Sequence, residues 1–212
     1  MQPATEPEDQ GVTARRRDVA RAGHVGDGAT ARSGLTDPAP SVRSTALGAL
    51  ERLGALTDAE LVAALTDEAP AVRRRAVELA ATHGEVDIVT LLDDPEPSVV
   101  EMAAWSAGER GADRARAADD TVGRLARLAT GDRSHGDPLC REAAVAALGA
   151  IGDPTGLPAV LAALDDKPAI RRRAAVALAA FEGPEVEAAL QRCLDDRDWQ
   201  VRQVAEDLLA VN

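Results

Sequence analysis

The sequence predicts an all-α chain folded as a solenoid of stacked helix pairs, and three recurring observations predict it. The first is a six-fold echo: Val42, Val72, Val99, Cys140, Ile170 and Val201 are each followed four residues later by alanine, at Ala46, Ala76, Ala103, Ala144, Ala174 and Ala205. Seven and eight residues on stand small or aliphatic pairs such as Ala49/Leu50, Ala147/Leu148 and Ala177/Leu178, so the offsets trace one apolar stripe of a helix. The second is glycine twelve or thirteen residues on, at Gly54, Gly84, Gly111, Gly152 and Gly183, where a helix stops most easily in a left-handed conformation. The third is an acid ahead of the stripe, followed in most repeats by proline, as in Asp37 with Pro38 and Pro40, Asp67 with Pro70, Asp94 with Pro95 and Pro97, and Asp166 with Pro168. A carboxylate accepts the orphan N–H groups of a first turn, and proline has none to lose.

Between each stop and the next start there is room for a second helix, expected over Asp58 to Leu65, Val86 to Leu92, Thr155 to Leu164 and Glu185 to Leu194. Successive units are 30, 27, 41, 30 and 31 residues apart, the spacing of a repeat array with one long step. A single pair cannot bury its own stripe, so stacking supplies the missing surface and the core runs along the array.

In order along the chain, residues 1–10 are polar, with two prolines and three acids, and read as a disordered tail. Residues 11–26 read as a degenerate N-terminal capping repeat: Asp9, Arg15 and Gly26 keep the offsets around Ala14, but Asp18 stands where later repeats hold alanine. Residues 27–212 read as the array proper, with an insertion around residues 109–137 that accounts for the long step. The last stripe carries Gln200, Gln203, Glu206 and Asp207, the polar character expected of a C-terminal cap.

The pattern Leu-x-Asp-x-x-x-x-Val-Arg-x-x-Ala-x-x-Ala-Leu, present as Leu35 to Leu50 and with variations along nearly the whole chain, resembles the HEAT-like repeat in the short form found in phycobilin lyase subunits. The resemblance implies a right-handed HEAT-like α-solenoid whose Val-Arg helix lines the inner face. It also implies a ladder in which each Arg bonds an Asp in a turn: Asp37 with Arg43, Asp67 with Arg73, Asp165 with Arg171 and Asp196 with Arg202, each six residues apart. Two repeats depart from it, since Val100 replaces the third Arg and His135 stands six residues before Arg141.

Composition narrows the function. Arg15 to Arg17 are not followed by an apolar stretch, and no run approaches the length of a membrane span, so a soluble, cytoplasmic chain without membrane contact is expected. Cys140 and Cys193 fall at apolar positions of the repeat and read as small core residues. HEAT-like alkyl-base DNA glycosylases make nucleic acid a reading to weigh, but the net charge of −12 repels a polyanion. At offsets two, six and nine the signature stripe sets Arg74 and Arg172 against Glu51, Glu78, Glu101, Glu142 and Asp207. With no Tyr and only Phe181, Trp105 and Trp199, the aromatic supply for stacking bases is missing as well.

The repeat also resembles deoxyhypusine hydroxylase, whose His-Glu dyads hold two iron ions. No such dyad surrounds His24, His83 or His135, and His83 sits before a helix-stopping glycine, where a partly positive ring suits the dipole. No catalytic constellation, metal site or cofactor is expected. One place is irregular. Val100, an outward Trp105 and the neighbouring Met102 lie just before the insertion, which either folds back over the indole or leaves it to anchor a partner. The expected function is a non-catalytic scaffold or adaptor, a monomer when free, that binds another protein through Trp105, Met102, Arg74, Glu78, Glu101, Glu142 and Arg172. The alternative is an auxiliary subunit of an enzyme, lyase-like or oxidoreductase-associated.

Overall fold

A computed structural model describes residues 7–117, 120–131 and 134–211, and among them every regular element is helical. The chain divides into two compact units, Met1–Asp87 and Ile88–Asn212. The first holds α1 (Pro7–Val25), α2 (Gly28–Ser33), α3 (Pro40–Arg52), α4 (Asp58–Leu65) and α5 (Pro70–Ala80). The stripe helices α1, α3 and α5 pack in sequence as one layer, with α2 and α4 behind them. The second unit opens with a 3-10 turn, Val89–Asp93, and continues through α6 (Pro97–Ala117), α7 (Thr121–Ala129), α8 (Pro138–Ile151), α9 (Leu157–Ala163), α10 (Pro168–Ala177), α11 (Pro184–Cys193) and α12 (Trp199–Val211). Here α6, α8, α10 and α12 form the layer.

The repeat dictates the burial. Val42, Val72, Val99, Cys140, Ile170 and Val201 are at most 2% exposed, and the six alanines four residues on are completely buried. Proline opens α3, α5, α8 and α10 at the first turn, and Thr57 with Glu60 closes a capping box on α4. Gly54 (φ 62°) and Gly152 (φ 63°) terminate α3 and α8 in the left-handed region.

The elements depart from expectation in three places. Helix α1 begins at Pro7, inside the segment read as a tail, because proline followed by two acids is itself a helix-start pattern. The helix expected from Val86 to Leu92 is only the 3-10 turn Val89–Asp93, since few residues are available and Ile88, Val89 and Thr90 are all β-branched. Gly111 (φ 71°, ψ −174°) does not end a helix but breaks α6, which resumes to Ala117. Of the insertion, α7 packs against α8 and α9, while residues 118–119 and 132–133 lie outside the described residues.

The ladder exists with a different pairing. The Nε and Nη2 groups of Arg43 donate to the carboxylate of Asp67, 24 residues on and in the next repeat, at 2.8 and 2.7 Å. Arg15 meets Asp37, Arg141 meets Asp166 and Arg171 meets Asp196 in the same two-pronged way. Six residues back the same guanidinium reaches a carbonyl instead: Nη1 of Arg43 donates to Asp37 O, that of Arg73 to Asp67 O and that of Arg202 to Asp196 O. The carboxylate pairs Asp37/Arg43, Asp67/Arg73 and Asp196/Arg202 are therefore corrected to carbonyl contacts, and the pair Asp165/Arg171 is replaced, since Arg171 holds the carboxylate of Asp196 and donates to Asp166 O at 3.1 Å. The reason is geometric. The carbonyls ahead of a proline-started helix have no helical donor, so one nitrogen satisfies them while the planar fork reaches across to the neighbouring turn. Each rung carboxylate also accepts a backbone N–H of its own turn, as Asp67 does from Ala69 at 2.8 Å and Asp196 from Asp198 at 2.7 Å.

The one interrupted rung is compensated locally. Val100 is 1% exposed where an arginine would stand, so no guanidinium reaches for a carboxylate in the next turn. His135 occupies that turn, its Nδ1 accepting the Asp137 N–H at 3.0 Å and its carbonyl accepting Nη1 of Arg141 at 2.8 Å. Both contacts copy those of Asp37, without a charge that nothing would neutralise.

Candidate functional site

Outward positions on the second unit's layer fall at the same offset of each repeat. Trp105 on α6, Ala146 on α8 and Val176 on α10 are equivalent, and Trp105 and Val176 are 44% and 49% exposed. Beside Val176 lies an open groove of about 320 Å³, lined by Ala146, Gly149, Ala150, Arg173 and Ala180 among others. Its floor is narrow because the helices touch. A Cβ on Gly149 would lie 2.7 Å from the Ala177 Cβ, and one on Gly108 would lie 3.0 Å from the Ala147 Cα, so glycine at this offset sets the approach of α8 to α10 and of α6 to α8. Gly23 lies on Ala49 in the same way in the first unit.

The other candidates are distributed differently from a single face. Met102 and Glu101 are half-buried on α6. Glu142 accepts from Arg173 at 3.4 Å, and Arg172 is engaged with Gln200 and, at 3.7 Å, with Asp198 of the following repeat. Arg74 and Glu78 belong to the first unit, where Glu78 pairs with Arg75 at 2.9 Å and Arg74 is exposed. Arg172, Glu78 and Glu142 thus spend part of their bonding capacity inside the array.

Three features escaped the sequence reading. His83 bridges two helices, with Nε2 2.9 Å from Glu51 Oε2 and Nδ1 2.8 Å from Asp58 Oδ1, and those contacts raise its pKa, the bond to Glu51 foremost. Its spacing to Asp58 was visible, but not that α3 and α4 present both acids to one ring. Ser106, beside Trp105, is completely buried, and its hydroxyl has no hydrogen-bond partner among the described residues. Finally, within the register that the offsets around Ala14 already give α1, Arg16 stands at the offset of Arg74. Arg15 forms a true rung and Gly23 a true close contact, two signals that offsets alone could have supplied. Cys140 donates to Pro97 O at 3.3 Å, and burial pushes its thiol up to about 11, which suits the core role read for it. Among the described residues no group of three or more His, Cys, Asp or Glu side chains could hold a metal ion, and no helix is long and apolar enough to cross a membrane.

Residues 125–210, which include the groove and the rung arginines Arg141 and Arg171, match the family described as HEAT repeats. That stretch of the chain carries HEAT repeats. Solved structures of helical-repeat proteins are similar to the chain in fold. A designed armadillo repeat protein is similar over 85% of the chain and 97% of its own length, at 19% identity and a TM-score of 0.62. A second designed armadillo repeat protein, in complex with the peptide (KR)4, is similar over 97% and 95% at 17% identity and a TM-score of 0.61. The complex of CpcE and CpcF of phycocyanin lyase from Nostoc sp. PCC7120 is similar over 86% and 75% at 24% identity and a TM-score of 0.59. No curated protein matches the chain. The expected all-α helix-pair solenoid is the fold of this protein.

Proposed function

We propose that this HEAT array is a non-catalytic scaffold that binds another protein through the outward face of its stripe helices, with Trp105 as the anchor. One observation carries the reading: in a chain with only 1% aromatic residues, an indole stands 44% exposed at the repeat offset that also exposes Val176. Trp is over-represented at the energetic centre of interfaces, and repeat arrays present extended recognition surfaces. A similar designed array holds a peptide, which supports the same use of the fold.

The test is capture of the partner followed by titration of Trp105→Ala. The variant should bind at least about 2 kcal/mol more weakly while its own stability changes by less than about 1 kcal/mol. A stable variant with full affinity removes Trp105 as the anchor. If the captured partner is an enzyme whose activity depends on this chain, the protein is an auxiliary subunit rather than a general adaptor.

A further inference from the structure

We infer that the first unit carries a separate cationic trough that binds an acidic, extended peptide segment. This deepens the protein-binding reading above and rests on it, but on other residues. The arginine rung at Arg15 and the contact of Gly23 with Ala49 fix the register of α1. Arg16 and Arg17 therefore stand at the offsets of Ser44 and Thr45 on α3 and of Arg74 and Arg75 on α5. The middle helix offers a low floor, Ser44, Thr45 and Gly48, between arginines on both neighbours. Arg75 lies over it, since a Cβ on Gly48 would be 2.7 Å from its Nη2, and Arg52 lies against Gly23, where a Cβ would be 3.1 Å from its Nη1.

The charges on this face are unbalanced in a way the whole chain is not. The molecule carries 36 acids and 24 arginines and lysines, yet Arg16, Arg17, Arg52 and Arg74 are exposed and form no ion pair among the described residues. Six acids of the unit are engaged by other side chains: Glu51 and Asp58 by His83, Glu78 by Arg75, Asp37 by Arg15, Asp67 by Arg43 and Glu60 by Arg32. A guanidinium fork without a partner selects a carboxylate. Three stripe helices at interaxial distances of about 8–10 Å span about 16–20 Å, a reach covered by an extended peptide of about six residues. A nucleic acid fits less well. Residues 1–87 contain no Phe, Tyr or Trp on which a base could stack, and the net charge of −12 opposes a dense run of phosphates.

The experiment titrates the full chain with a fluorescent peptide of four Glu-Ser units, a Lys-Ser peptide of the same length and an eight-nucleotide oligothymidylate. The acidic peptide should bind, the basic one should not, and binding should weaken as salt is raised past the point where exposed charges are screened. Replacing Arg16, Arg17 and Arg74 together by Glu should weaken it by about tenfold or more, and by Gln by a smaller factor. Circular dichroism confirms that each variant is folded, and because the side chains are exposed the Gln set keeps the test open if the Glu set is not. Trp105→Ala should leave peptide binding unchanged, which separates this trough from the anchor proposed above. No salt-sensitive binding of the acidic peptide, or binding indifferent to the arginines, overturns the inference. Arginine-dependent binding of the oligothymidylate more tightly than of the peptide overturns it in favour of a nucleic-acid site.

Discussion

Ser106 shows how finely one atom can be priced in a repeat. Its position seven residues after Val99 is alanine in three other repeats, at Ala49, Ala147 and Ala177, and its hydroxyl is buried without a partner among the described residues. An unpaired buried polar group costs about 1–3 kcal/mol of desolvation, whereas alanine restores the repeat's own packing. Ser106→Ala should therefore raise stability by about 1 kcal/mol, read as a higher urea midpoint. A destabilised variant would mean that the hydroxyl is satisfied, for example by water. His83 is the opposite case, a polar side chain with more than one partner. Only the imidazolium can donate from both ring nitrogens, to Glu51 and to Asp58, so the folded state holds the proton more tightly than the unfolded chain. The stabilisation is complete below the unfolded value of about 6.5 and is lost as pH rises through the raised folded value. Urea midpoints measured across that window should fall for the natural protein and fall less for His83→Gln. Equal slopes would show that the bridge contributes nothing to folding.

Between helices, the rungs turn a periodic sequence into a fixed stacking register. Arg171 is 4% exposed and holds Asp196 with two bonds of 2.9 and 3.0 Å, and the guanidinium keeps that carboxyl below the usual carboxylate range. Removing the acid strands a buried cation, so Asp196→Ala should cost about 3 kcal/mol. Arg202 repeats the carbonyl bond to Asp196 at 2.7 Å but forms no ion pair among the described residues, and Arg202→Ala should cost only about 1 kcal/mol. Urea denaturation of the two variants separates the cases, and equal losses would contradict the assignment of the rung to the neighbouring repeat. At Val100 and His135 the same logic runs in reverse, with both charged members absent together while the turn keeps its backbone contacts.

Across the whole molecule, the net charge of −12 conceals a division of labour. On the stripe face of the first unit, Arg16, Arg17, Arg52, Arg74 and Arg75 face only Glu51 and Glu78, whereas on the second Glu101, Glu109 and Glu142 accompany Arg172 and Arg173. Counted from Val42 onward the stripe is net acidic, with Arg74 and Arg172 against five acids, and Arg16 enters only when α1 is included. The repeat therefore carries one fold and at least two kinds of surface, and the two binding experiments address them one at a time.

The sequence by itself determined the class of fold, the offsets that are buried and the helix starts, because a 3.6-residue period and the chemistry of aspartate, proline and glycine act within a few residues. The same offsets pointed to Trp105 as outward. Only the tertiary structure decided which carboxylate each arginine meets, since residues 24 or 25 apart in sequence become neighbours through helix stacking and are indistinguishable beforehand from residues six apart. It likewise decided that Arg172 and Glu142 are engaged inside the array and that His83 joins two acids. Each of these depends on how far a long side chain reaches across a helix interface, and a periodic pattern fixes the direction of a side chain but not what waits at its end.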